Sequence, residues 1–134
     1  MSQENVEVAY RFLEAFNLGL DEFVACFTED AVCVTTPEWP EAGTYRGKVA
    51  VRGLWAPIFA AQEQHAELDE VTVLDEHRVL SKYRLRSRGA SSGAAMTTPV
   101  YSIATIRERL ISRVEYFMRY EEALEAAGLT EGDV

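Results

Sequence analysis

The chain has 134 residues and a net charge of −9, which fits one domain able to bury roughly two-thirds of its unfolded surface. The acidic balance argues against nucleic acid and anionic membranes as partners, and no stretch approaches the roughly 20 apolar residues of a membrane span. Glu4, Glu7, Arg11 and Glu14 interrupt the N-terminus where a secretion signal would be apolar, and Cys26 and Cys33 lack metal or redox spacing, so a cytoplasmic protein with reduced thiols is expected.

Ser2 can cap a first helix in which Val6, Ala9, Phe12, Leu13 and Phe16 recur at helical spacing. Asn17 and Gly19 end it. Asp21 is placed to cap a second, shorter helix that turns Phe23, Val24 and Phe27 inward and closes at Thr28-Glu-Asp30. Ala31–Thr36 reads as a strand stopped by Pro37. The Pro37–Gly43 segment, with Trp39 and Pro40, cannot continue a ladder and reads as a loop. Lys48–Ala61 is the third helix, with a kink or restart predicted at Pro57. Three or four strands follow, over about 66–74, 78–88, 97–107 and 110–119. Asp75-Glu-His77 and Arg107-Glu-Arg109 make tight turns, and Gly89–Ala95 makes a Gly/Ala/Ser hairpin. Glu121–Ala127 is a short last helix ended by Gly128.

Helices followed by an antiparallel meander give an α+β fold, with the helices covering a sheet too apolar to leave both faces wet. A curved sheet closed by helices leaves a cavity at its wide end, the default ligand site. Charge is unevenly spread. Nine of the 13 basic residues lie between Arg78 and Arg119, where the acids are Glu108 and Glu115. One sheet face is therefore expected to meet an acidic surface or an anionic ligand.

Phe12-Leu-Glu-Ala-Phe-Asn, a glycine turn, Phe23-Val-Ala-Cys-Phe-Thr-Glu-Asp, a short strand and Pro40-Glu-Ala-Gly-Thr-Tyr-Arg-Gly47 run as helix, capped helix, strand and lip loop. With Tyr45-Arg-Gly47 and the ending Glu121-Glu-Ala-Leu-Glu-Ala-Ala-Gly-Leu129, this order resembles the SnoaL-like branch of the nuclear transport factor 2-like superfamily over nearly the whole chain. The resemblance implies a single SnoaL-like domain over residues 1–134. It also implies a cone-shaped, curved antiparallel sheet wrapped around three N-terminal helices, a central pocket, a short C-terminal helix, and a homodimer formed through the outer sheet face. It says little about chemistry, because the superfamily includes polyketide cyclases, ketosteroid isomerases, limonene epoxide hydrolases, dehydratases and members with no known activity.

Position by position, the resemblance places Thr35 where the isomerases carry a carboxylate base, Phe12 at their phenolic donor and Ser102 near their second donor. None of the three can abstract a carbon acid's proton and stabilise the enolate. The Asp-Arg-Asp relay of the epoxide hydrolases falls on Arg86, Arg84 and Tyr116, with Cys33 and Thr35 on the early strand; of that relay the arginine alone survives. No Asp lies on the strands from 78 to 119, where the cyclases need one, and the nearest carboxylate is Glu115. If a reaction occurs, Glu115, Tyr116 and Arg84 are its candidate groups.

Pattern and resemblance disagree about the strand over 78–88. Alternation puts Val79, Ser81, Tyr83 and Leu85 in the core and Lys82, Arg84, Arg86 and Arg88 in water. Comparison with the superfamily instead turns Leu80, Lys82, Arg84 and Arg86 toward the pocket, which requires an acidic partner or a bound anion. A carboxylate on the ligand would suit that second arrangement, because arginine holds such groups bidentately. His65 and His77 have no metal-ligand neighbours at useful spacing, so no metal is expected, and no cofactor. Trp39 either stacks on a ligand or staples the lip loop to the third helix. Ser102 and Ala104 are small and should enlarge the cavity.

The expected function is binding of a small, mostly apolar molecule, carboxylate-bearing if the arginines face inward. Its contacts are Phe12, Phe16, Cys33, Thr35, Trp39, Leu80, Arg84, Arg86, Ser102 and Tyr116. The alternatives are a cyclase, dehydratase, isomerase or hydrolase, and a structural or protein-interaction dimer with a filled cavity.

Overall fold

The computed structural model describes residues 2–89 and 95–129; the expected hairpin over 89–95 lies mostly outside them. In chain order the elements are α1 (Ser2–Leu18), α2 (Leu20–Val24), β1 (Phe27–Thr35), β2 (Gly43–Arg46), α3 (Lys48–Ala61), β3 (Gln62–Val73), β4 (Arg78–Gly89), β5 (Ala95–Arg107), β6 (Leu110–Phe117) and α4 (Tyr120–Ala127). The six strands form one sheet in the order β2-β1-β6-β5-β4-β3. Its pairs are antiparallel except β1 with β6, which run parallel because the helical excursion through α3 and the meander bring the last strand back beside the first.

Two elements differ from expectation, both because sheet pairing outweighs local preference. The second helix is five residues long, with Gly19 and not Asp21 at its N-cap. Phe27, read as helical, opens β1: it lies opposite Ile111, whose N–H donates to Cys26 O at 2.8 Å. The lip segment Gly43–Arg46 is a strand, pairing with Val32–Thr35. Gly47, with φ 89°, then turns the chain from β2 into α3, a conformation that favours glycine.

Register irregularities between Phe27 and Val32, Leu68 and Glu70, and Thr105 and Ile106 bend the sheet, as extra residues in a ladder do. The concave face takes α1, α2 and α3. There Phe12 stacks on Phe23 at 4.9 Å, Phe16 meets Trp55 edge-to-face at 6.0 Å, and Phe27 meets Phe23 at 5.3 Å. Burying a side chain of this size is worth roughly 1.5–3 kcal/mol, and each aromatic pair adds about 0.5–1.5 kcal/mol. The convex face carries α4. Ala123, Leu124 and Ala127 cover Leu80 and Ile103 there, with Lys82 5.6 Å above the Tyr120 ring.

The free edge of β3 is held by α1 through two asparagines. Asn17 donates from Nδ2 to Ala66 O at 2.9 Å and accepts from Ala66 N–H at 2.7 Å, so one side-chain amide stands in for a neighbouring strand. Near the other end of the helix, Asn5 donates to Glu76 O in the β3–β4 turn at 2.7 Å. Edge strands with unpaired backbone invite association, and covering them is a common remedy.

Candidate functional site

The interior cavity lies between the helices and the concave sheet face. Its wall is built by Phe12, Leu13 and Phe16 of α1, Phe23 of α2, Trp39 of the lip loop, Trp55 of α3, Tyr83 and Leu85 of β4, Ser102 of β5 and Tyr116 of β6. Strand alternation explains the sheet contribution: Tyr83 pairs across with Val100, Ser81 with Ser102, and Ser102 with Tyr116, all inward-facing. The helical contribution follows from helical spacing on α1, and on α3 from Val51, Leu54 and Trp55, which are buried.

The cavity is nearly full. A water-sized sphere finds about 20 Å³ for its centre, room for about one water molecule, which needs roughly 10–15 Å³ on this measure. Trp39 closes the mouth. Its ring lies 5.4 Å from Tyr116 and 6.4 Å from Trp55, and its Nε1–H donates to Met118 Sδ at 3.0 Å. Glu38 adds a 3.5 Å ion pair to Arg119. The loop beneath is tied by the Thr35 hydroxyl, which donates to Glu41 O at 2.7 Å, and by the Tyr45 hydroxyl, which donates to the same carbonyl at 2.8 Å. A larger hollow of about 770 Å³ is an open groove at the start of α1. Its arginines are paired, Arg109 with Glu4 and Arg107 with Asp30, and its Asp75 pairs with Arg78.

No carboxylate, imidazole or cationic side chain lines the cavity among the described residues. Its titratable neighbours stay protonated. Burial pushes the Cys33 thiol up to about 12, opposed in part by the adjacent Trp55 N–H. Burial, then the nearby Cys33, raises the Tyr83 phenol; burial, then Tyr83 and Cys33, raises Tyr116. The Trp55 contact with the thiol falls short of hydrogen-bond geometry, which leaves Trp55 Nε1 buried without a partner among the described residues.

Of the ten expected contacts, Phe12, Phe16, Trp39, Ser102 and Tyr116 meet at this wall. The other five do not. Cys33 is fully buried in the core behind the wall, and Thr35 anchors the lip loop. Leu80, expected to face the pocket, lies under α4 on the opposite sheet face.

Arg84 and Arg86 are exposed on that opposite face as well. Arg84 bonds both oxygens of Asp69 through Nε at 3.2 Å and Glu67 through Nη2 at 3.1 Å, while Arg86 reaches Glu67 at 2.8 Å. The alternation reading of β4 therefore describes the strand, since a charged arginine facing the apolar interior would lack a partner. Glu115 is directed the same way, paired with Arg113 at 3.3 Å. Glu115, Arg84 and Tyr116 are thus not brought together. Arg84, Arg86, Arg107 and Arg113 each find an acid within the chain. Trp55 and Tyr83 were not expected in the wall; helical spacing from Val51 and the alternation of β4 would have found them.

The profile of the SnoaL-like domain family matches residues 9–114. An NTF2-like protein from Burkholderia xenovorans is 26% identical, with 95% of this chain and 97% of that one covered at a TM-score of 0.72. A candidate polyketide cyclase from Xanthomonas campestris superposes with a TM-score of 0.77 at 19% identity, covering 94% and 98% of the two chains. A hypothetical protein of ketosteroid isomerase-like fold from Catenulispora acidiphila, in complex with trimethylamine, gives 0.73 at 14% identity, covering 92% and 93%. Among curated proteins nothing matches.

Proposed function

Because the chain belongs to the SnoaL-like domain family, we propose that it binds a small, mostly apolar molecule in the cavity between α1, α3 and the sheet. The observation that carries this reading is an aromatic-lined void between helices and sheet, with no charged side chain in its wall among the described residues. Apolar cavities with a few convergent polar groups, here the Tyr83, Tyr116 and Ser102 hydroxyls, are the usual place for small ligands. The complex of the Catenulispora acidiphila protein with trimethylamine is a precedent for small ligands on this fold.

Admitting a ligand requires Trp39 to leave the mouth. That breaks its bond to Met118 and its contacts with Tyr116 and Trp55. One hydrogen bond at about 1 kcal/mol and two aromatic contacts at roughly 0.5–1.5 kcal/mol each sum to a few kcal/mol. Burial of ligand hydrocarbon at about 25 cal/mol per Å² offsets such a cost with some 100–150 Å².

The second reading is a structural or interaction role with a filled interior, favoured by the 20 Å³ volume. Titration with indane, followed through the indole N–H signals of the two tryptophans, separates the two. Saturable shifts, stronger in Trp39→Ala, support binding. A folded Trp39→Ala protein whose remaining indole signal, that of Trp55, stays unmoved at saturating indane leaves the structural reading. A homodimer belongs to either reading. It would use the part of the outer face beside α4, where Val32 and Val34 of β1 are half-buried. Sedimentation of Val34→Glu tests it: an unchanged dimer there, or a monomeric parent protein, removes that surface from consideration.

A further inference from the structure

We propose that α4, on the outer face of the sheet, is the latch of the cavity mouth: its docking holds Trp39 in place and its release frees the lip loop. The inference goes beyond the binding reading and stands whether or not a ligand enters.

The tip of the lip loop is clasped by two consecutive residues. Trp39 donates from Nε1 to Met118 Sδ at 3.0 Å, and Glu38 pairs with Arg119 at 3.5 Å. Met118 and Arg119 are also the whole connection between β6, which ends at Phe117, and α4, which starts at Tyr120. Alternation at the end of β6 sets one ring on each face. Tyr116 lies beside Trp39 in the cavity wall, and Phe117 packs into the cluster beneath α4. The connection has no slack. A chain reaches at most about 3.5 Å per residue, and Arg119, at φ −122° and ψ 134°, is already extended. Leaving the sheet, α4 must drag the clasp residues with it. The motion is all-or-none because α4 has 8 residues, too few for a helix to persist alone in water. It is helical while Ala123 and Leu124 stay buried on Leu80 and Ile103. Undocking melts it and breaks the bonds from Ala123 N–H to Arg119 O and from Leu129 N–H to Leu124 O. Arg119 thus serves the start of the helix and the clasp at once. Access to the cavity is decided on the opposite face of the sheet, and by reciprocity displacing Trp39 loosens α4 by the same factor.

Hydrogen exchange of the two indole N–H groups tests the coupling, with Trp39→Phe assigning their signals. Trp55 Nε1 is buried in the same core and is not bonded to the link, so it serves as the internal control. Leu124→Ala hollows the seat of α4 at a side chain that is 1% exposed. It should speed exchange of the Trp39 N–H roughly tenfold or more and leave the Trp55 N–H nearly as slow as in the parent protein. Two glycines inserted between Arg119 and Tyr120 supply slack, so in that background Leu124→Ala should no longer affect Trp39. Equal acceleration of both indoles, no acceleration of Trp39, or an effect of Leu124→Ala that survives the insertion overturns the inference. None of these outcomes bears on whether the cavity takes a ligand. Should Leu124→Ala fail to fold, the parent protein in low urea decides. The Trp39 indole and the amides of Ala123 and Leu129 should then open together, with one urea dependence smaller than that of global unfolding. Separate openings of the indole and the helix overturn the coupling there.

Discussion

Asn17 shows how one side chain can substitute for a missing structural neighbour. Its position just before Gly19 reads as a helix terminator, and it does end α1 within one residue. Its amide also closes the edge of β3 at Ala66 with one bond given and one received. Asn17→Ala should lower stability by about 1–3 kcal/mol, from two hydrogen bonds at roughly 0.5–1.5 kcal/mol each. Asn17→Asp should recover little of this, since a carboxylate accepts from Ala66 N–H but faces Ala66 O with no donor. Urea midpoints at constant m-value measure both. Equal stability of Asn17→Ala and the parent protein would show that water serves the edge as well as the amide does.

The β5–β6 turn is a place where an element carries strain in plain view. Arg107 pairs with Leu110, leaving Glu108 and Arg109 as a two-residue loop with φ of 51° and 66°. Both angles lie in the left-handed region, which costs ordinary residues about 1–2 kcal/mol each and which Asn-Gly adopts readily. Combining Glu108→Asn with Arg109→Gly should therefore stabilise the hairpin by about 1 kcal/mol, less the small contribution of the 3.5 Å Arg109–Glu4 ion pair. A lower thermal midpoint in the double variant would mean that the turn's side chains contribute more than its backbone strain removes. The neighbouring β3–β4 turn is already well made. Asp75 accepts from the N–H groups of His77 and Arg78 and from Arg78 Nε, which holds its carboxyl below the ordinary range.

For the molecule as a whole, the protonated interior sets an alkaline limit. In the unfolded chain Cys33 ionises near 9.0, whereas burial raises it to about 12 in the fold. The unfolded state thus sheds the proton first, so stability is complete below pH 9 and declines as pH rises toward 12. By pH 10 the loss from this thiol alone is about 1 kcal/mol, with Tyr83 and Tyr116 adding to it at higher pH. Cys33→Ala should flatten the denaturation midpoint between pH 9 and 10; an unchanged slope would remove the thiol as its source. Acid has the reverse sense: Asp30 and Asp75 are depressed by Arg107 and Arg78. Their contribution is present above about pH 4 and fades as pH falls through the lower folded values.

Apolar spacing and punctuation were enough to place α1, α3, four later strands and the last helix close to their observed bounds, because those signals are local. The family resemblance, carried by Phe12 to Gly47 and the closing helix, pointed to the same α+β cone that the SnoaL-like profile and the superposed structures share. Alternation along β4 likewise held the answer about Arg84 and Arg86, since a period of two allows one face in and one out. What the order of residues could not carry was anything fixed by partners distant in sequence. The capture of Phe27 by the sheet depends on β1 meeting β6, and that of Gly43–Arg46 on its pairing with β1. The second use of Asn17 depends on Ala66, 49 positions away. Cavity size is of the same kind: small residues at Ser102 and Ala104 suggested a roomy pocket, but Trp39 and Trp55 fold into the space, and only the summed volumes of side chains from six elements decide whether a hollow remains.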